Sequence, residues 1–378
     1  MPRQKTGKEK SKRAPLPVVP TLQKFLKTYE KHRAQTQTSV CPAIKKDLKT
    51  SIDKEQMLRK FILVRPDDSP PSILPISLEP LLMAIRDERY TLGKQICIWG
   101  FQLSNPEIAR LASLLELKGR TACPLATLEL IDCRMDPWAL GRLGQALQCS
   151  RLHSLVLDYC RFENEDIESI FLGLESNRRL QGLSLRYCGL GPQSGPRLGS
   201  VIRHSAICEL HLDGNYLQCS GARALLRPIA EHAEMRGRGP PATASPDSPG
   251  PPRTLPGTKK KMKGLAEAGP WLVKLYLADN GIDGKGNGGE NALLEFTQIL
   301  TCLIKYSAHL REIDLGNNVV GEVAAVDILE ALRARKTGKL PVLKITVTPQ
   351  ISSDTFRSIW KISKKPKITS KRKKKVCT

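Results

Sequence analysis

Leucine recurs along this chain with a fixed spacing. Leu125, Leu128 and Leu130 precede Cys133, and the same pattern returns at Leu152, Leu155, Leu157 and Cys160 and at Leu180, Leu183, Leu185 and Cys188. Further copies read Ile207, Leu210, Leu212, Asn215, then Leu272, Leu275, Leu277, Asn280, then Leu310, Ile313, Leu315, Asn318. Degenerate copies flank the set at Ile96, Ile98 and Phe101 and at Leu340, Leu343 and Ile345. Apolar residues at alternate positions predict a short strand with one buried face. Helix-start signals follow the Cys or Asn, as at Asn105-Pro106, Asp136-Pro137 and Asp166. Apolar residues at helical spacing come next, for example Leu140, Leu143 and Leu147. One strand-helix unit cannot bury its apolar face alone, so neighbours must stack. The expected fold is α/β: a curved solenoid with a parallel sheet inside and helices outside.

The first three intervals between copies are 27, 28 and 27 residues. The next is 65, a normal repeat plus a Pro-, Gly- and Lys-rich insertion at 235–269. The last is 38, with the glycine-rich stretch 281–291 supplying the surplus. These boundaries give a basic, mostly disordered segment over 1–50, with a short amphipathic helix near 20–33 carried by Leu22, Phe25, Leu26 and Tyr29. A cap region over 51–89, a repeat array over 90–348 and a C-terminal segment over 349–378 follow.

These residues resemble the leucine-rich repeat signature, LxxLxLxxN/C followed by xL. With a period near 28 and helices between the strands, residues 90–348 resemble the ribonuclease-inhibitor-like subfamily, with about seven or eight repeats. The resemblance implies a horseshoe whose concave face is the parallel sheet. It does not imply one function, because family members range from enzyme inhibitors and innate sensors to GTPase-regulating, cytoskeletal and ciliary axoneme proteins.

Charge changes this picture only at the margins of the array. The 378 residues carry a formal net charge of +23, of which +22 falls in residues 1–35, 235–269 and 361–378. The rest of the chain is close to neutral. Such basic, core-poor stretches do not bury enough apolar area to offset ordering entropy. No apolar run approaches the roughly eighteen residues that span a bilayer, and the basic start leads into no secretory signal. Eleven cysteines are accordingly expected as reduced thiols in an intracellular protein, without membrane insertion.

Cys133, Cys160 and Cys188 stand where Asn215, Asn280 and Asn318 stand later, so the repeat accounts for them as turn residues. Cys97, Cys123, Cys149, Cys208, Cys219 and Cys302 are expected to be buried or half-buried thiols. No closely spaced ligand set suggests a metal. The stretch Asp279–Glu290 departs from a calcium loop at Gly281 and Gly286. No nucleophile motif accompanies His153 or His211, and no cofactor motif appears. The expectation is a protein that is not an enzyme.

The outward strand positions carry the candidate binding residues. They comprise Glu129, Asp158, Arg186, Glu209, His211, Asp213, Lys274, Tyr276, Glu312 and Asp314, with Tyr159 and Tyr187 beside them. Six acids against two bases predict a concave face suited to a basic protein partner. The run Lys371, Arg372, Lys373, Lys374, Lys375 suits an acidic polymer instead, either tubulin tails or nucleic acid. Two functions follow. One is a scaffold in a cytoplasmic, cytoskeletal or ciliary setting. The other is a nuclear or nucleolar protein acting on RNA or chromatin through its tails. A GTPase regulator is a lesser third, since no residue here carries that activity over.

Overall fold

The computed structural model describes residues 17–65, 75–118, 125–162, 166–238, 271–286 and 288–364. Along them run α1 (Val18–Thr36), α2 (Pro42–Asp53), β1 (Lys60–Val64), α3 (Glu79–Asp87), β2 (Gln95–Trp99), α4 (Asn105–Glu116) and β3 (Thr127–Ile131). Then come α5 (Pro137–Cys149), β4 (Ser154–Val156), α6 (Asp166–Glu175), β5 (Gly182–Ser184), α7 (Ser194–His204), β6 (Glu209–His211) and α8 (Gln218–Gly237). The described chain ends with β7 (Lys274–Tyr276), α9 (Gly289–Tyr306), β8 (Glu312–Leu315), α10 (Gly321–Thr337), β9 (Lys344–Val347) and α11 (Ser353–Ser363).

The nine strands form one open sheet in strict sequence order, each parallel to its neighbours. The register keeps equivalent residues of successive copies in line: Phe61, Ile96, Leu128, Leu155, Leu183, Leu210, Leu275, Ile313 and Ile345 form one row. Every member of that row is buried. Between them point the polar or exposed positions, giving the alternation expected of a sheet covered by helices on one face only. From α3 to α11 the helices pack in sequence order, each against the next, while α1 packs on both α2 and α3. At α5 and α6 the approach is close enough that a Cβ on Gly144 would lie 2.2 Å from the Ser169 carbonyl oxygen, so glycine is required there.

At the end of each of seven strands the chain turns through a left-handed residue. These are Gly100, Asp132, Tyr159, Tyr187, Gly214, Asp279 and Asn317, with φ between 51° and 75°. All but Asn317 donate their amides to the neighbouring repeat, as from Tyr159 to the Arg186 carbonyl and from Tyr187 to that of Asp213. Those bonds offset the roughly 1–2 kcal/mol that a non-glycine residue loses in this conformation.

Except after Gly100, where Phe101 follows, the next residue is the Cys or Asn of the pattern, and its side chain donates to the preceding strand. Cys133, Cys160 and Cys188 reach the carbonyls of Ile98, Leu130 and Leu157. Asn215, Asn280 and Asn318 reach those of Leu185, Leu212 and Leu277. One S–H or N–H donor per repeat serves, so both residue types fit. Asparagine adds an acceptor, and the Asn215 oxygen takes the amides of Cys188 and Leu190. Burial pushes the Cys133 and Cys160 thiols up to about 11 and about 12, so both stay protonated and donate. Cys149 departs from the expected burial and is exposed.

The sequence-based boundaries shift at both ends. Residues 18–53 are not unordered: α1 covers the helix predicted at 20–33 and is followed by α2. Leu22, Phe25, Tyr29, Ile44 and Leu48 are fully buried. Phe25 meets Phe61 and Tyr90 at ring-centroid distances of 5.7 and 4.8 Å, and the Tyr29 hydroxyl accepts the Cys41 amide. The lysines that give this segment its basic composition lie on its outer side, as Lys24, Lys27 and Lys31 do. The region 51–89 contributes β1 and α3 to the same stack, and α11 extends it past 348. Residues 235–237, read as insertion, are the last turn of α8. Residues 1–16, the insertion from 239 to 270 and the tail from 365, including Lys371–Lys375, lie outside the described residues. The outer strands are backed by helices, α2 against β1 and α11 against β9.

Candidate binding face

The sheet face away from the helices carries all twelve folded positions singled out in the sequence, at its strands or at the turns that end them. Side by side they divide into two unlike halves.

Over β6–β9 the charges neutralise one another. Glu209, Lys274, Glu312 and Lys344 stand in register on consecutive strands, alternating in sign. The Lys274 ammonium lies 2.9 Å from Glu209 and that of Lys344 lies 2.5 Å from Glu312. Partial burial pushes the Glu209 carboxyl up, but hydrogen bonds from Lys274 and His211 outweigh it and hold the group below the usual carboxylate range. His211 donates from Nε2 to Glu209 and accepts at Nδ1 from the Arg186 guanidinium, which has no lone pair to offer in return. The ring also stacks on Tyr276, with centroids 4.2 Å apart and planes 4° from parallel. Asp213 accepts from Arg186 Nε and from the Ala278 amide, and Asp314 accepts the Gly316 amide.

Asp158 is engaged within the fold. Its carboxylate is buried and accepts from the Ser184 hydroxyl at 2.6 Å and the Arg186 amide at 3.0 Å. It secures the end of the sheet while still lining the concave face. The acidic lean of the face weakens as well: β1 and β9 bring Lys60 and Lys344 onto it, and four of the six acids have a cationic side chain within 4.0 Å.

The β2–β5 half is built differently. Small side chains make its floor, with Ser154 and Gly182 in one row and Val156 and Ser184 in the next. Together with Glu129, Ile131, Asp158, Arg186, Glu209 and His211 they line a depression of about 510 Å³. Glu129 makes no ion pair among the described residues. It accepts from Gln95 Nε2 at 2.6 Å and from the Cys97 thiol at 2.8 Å. Burial, and then the Glu129 carboxylate, push that thiol up to about 12, so it remains a donor. Along the rim, Tyr159 and Tyr187 stack with centroids 4.9 Å apart and planes 7° from parallel, and both stay about half exposed. Gly214 lets the Tyr187 ring lie over the next turn, where a Cβ would come within 2.1 Å of it. Trp99 and Val64 continue the apolar rim and are each 47% exposed.

Sequence reasoning missed Trp99 and Val64. The strand β1 was hidden between a basic segment and a Pro-rich break, although Phe61 and Leu63 show the same alternation as the better copies.

Among the described residues there is no cluster of three or more His, Cys, Asp or Glu side chains arranged to hold a metal ion, and no helix long and apolar enough to cross a membrane. Compared with protein-family models and with curated proteins, the chain matches none of either.

Proposed function

We propose that this chain is a leucine-rich repeat protein of the ribonuclease-inhibitor-like type that acts as a non-enzymatic scaffold. It holds a protein partner on the concave sheet, and its basic tails tether it to an acidic polymer in a cytoskeletal or ciliary axoneme setting. The observation that carries this reading is the contrast between the two halves of the sheet. Side chains that satisfy each other across β6–β9 have little to offer a partner. Exposed Trp99, Tyr159 and Tyr187 around a floor of small residues offer the aromatic anchors and the relief from which interface hot spots are made. Glu129 and Asp132, neither ion-paired among the described residues, add negative charge beside them. The partner chemistry that fits is a segment with a bulky apolar side chain next to a basic one.

The test compares two full-length variants for recovery of the same crosslinked partner. Tyr159→Ser combined with Tyr187→Ser is expected to abolish recovery, while Glu312→Gln leaves it intact. Equal recovery by both sinks the assignment. For the tether, Lys371–Lys375 replaced by glutamine is assayed against polyglutamate and against RNA. Selective loss of RNA binding, with loss of nuclear signal in cells, would replace the cytoskeletal reading with the nuclear one.

A further inference from the structure

A second depression lies on the helical side, between the first turns of α9 and α10, and has a volume of about 570 Å³. Its apolar wall is Leu294, Val319 and Val323, all exposed, with Val323 at 74%. Val326, also exposed, extends the stripe one turn further along α10. Aliphatic side chains on the outer face of a helix are unusual in this chain, where that face is generally polar. Around the wall stand Asp283, Glu290, Glu322 and Asp327 against a single base, Lys285, a net of −3. The two helix N-termini contribute about half a positive charge each, leaving about −2. Glu322 is engaged in the fold: it accepts from the Ser352 amide and hydroxyl and from the Thr355 hydroxyl, fixing the start of α11. Glu290 and Asp327 make no ion pair among the described residues.

We propose that this groove docks the chain's own C-terminal segment, residues 365–378. The argument is one of charge, apolar content and reach. Residues 365–378 hold seven Lys and Arg and no acid, with Ile368 and Val376 among them. Because Glu322 holds the start of α11 at the groove, and α11 spans 11 residues or about 16 Å, the tail leaves from within that distance. Its 14 residues reach about 46 Å when extended. The lysine-rich insertion starts farther from the groove. It leaves α8 beside Tyr306 at the far end of α9, about 27 Å from the groove for an 18-residue helix, so the crosslinks below must separate its lysines from those of the tail. The N-terminal segment enters at the other end of the stack, where α1 packs on α3. Docking sets Lys371–Lys375 against Glu290 and Asp327 and Ile368 or Val376 against Val323. It thereby competes with any polyanion for the same lysines. This contact is independent of the sheet face and stands or falls without it.

Zero-length carbodiimide crosslinking of the full chain, read by peptide mass spectrometry on the monomer, tests the contact. Crosslinks from tail lysines are expected to concentrate on Glu290 and Asp327. They should be lost in Leu294→Asn/Val323→Asn, whose exposed positions leave the core intact, and in about 1 M salt, where the screening length falls to about 3 Å. The carboxamide pair Glu290→Gln/Asp327→Gln should strengthen binding of a polyglutamate probe to the full chain. Tail crosslinks scattered over remote acids such as Asp53, crosslinks from the insertion lysines to the groove, links formed only between two copies, or probe binding indifferent to the carboxamide pair would each overturn the proposal.

Discussion

Arg335 is nearly fully buried, 2% exposed, and has no carboxylate beside it. Its guanidinium donates instead to four backbone carbonyls, Pro341, Ile304, Ser307 and Leu310, at 2.7–2.8 Å. These join the end of α9, the entry to β8 and the turn before β9, so one side chain fastens three consecutive connections. Replacing it by methionine keeps the volume and strips all four acceptors. A buried carbonyl left without a donor costs about 1–3 kcal/mol, so four total about 4–12 kcal/mol. Against this stands the cost of burying the charge. Burial, aided by Arg311, lowers the Arg335 pKa to about 10, equivalent to about 3 kcal/mol that methionine recovers. The expected net loss is about 1–9 kcal/mol for Arg335→Met. Arg335→Lys keeps a charge but not the planar fork, so its loss should fall between methionine and wild type. Urea unfolding followed by circular dichroism measures the total. Hydrogen exchange across 304–347 locates it, which matters because stacked repeats can open locally. A methionine variant within about 1 kcal/mol of wild type, or exchange unchanged over β8–β9, would refute the assignment of these bonds as the fastening of that end.

Three other outcomes are expected. Gly214→Ala combines a φ of +70° with a Cβ driven into the Tyr187 ring, so it should lower stability by about 1–3 kcal/mol and remove the exciton signature of the stacked tyrosines in near-ultraviolet dichroism. Glu107 receives the hydroxyls of Ser77 and Ser104 and the amides of Leu78 and Ser104, linking the starts of α3 and α4, so Glu107→Ala should cost about 1–3 kcal/mol and speed exchange in both first turns. Because the folded Glu209 carboxyl titrates below its unfolded value, its contribution is present above the ordinary carboxylate range and is lost as pH falls through the folded pKa. Glu209→Gln should therefore flatten the acid limb of a stability–pH curve and leave its slope near neutrality unchanged.

The repeat was legible because it is written in apolar spacing. Leu128, Leu155 and Leu183 must face the same way, and parallel register aligns them whatever surrounds them. The basic first fifty residues misled because composition averages over a helix, whereas burial depends on one of its faces. Leu22, Phe25 and Tyr29 are a minority in α1, yet all three are covered. The acidity of the sheet face misled for a related reason. Glu209 and Lys274 are 65 residues apart, and only the register across an insertion makes them neighbours. Counting outward acids found the right positions but not their partners. Nor did any local pattern announce that Asp158 is taken up by Ser184 across the face, since Asp213 at the equivalent place after β6 does not share its burial.

A sheet that adds strands only at its ends is formally a growing polymer, and each new strand offers the next one a template. In this chain growth stops because α2 lies against β1 and α11 against β9, each carrying apolar residues that a tenth or zeroth strand would otherwise cover. Removing one helix would expose a live edge able to pair with the same edge of another molecule into a closed dimer, and removing both would allow head-to-tail growth into fibres. The terminal helices thus set the number of strands and keep the chain a discrete molecule.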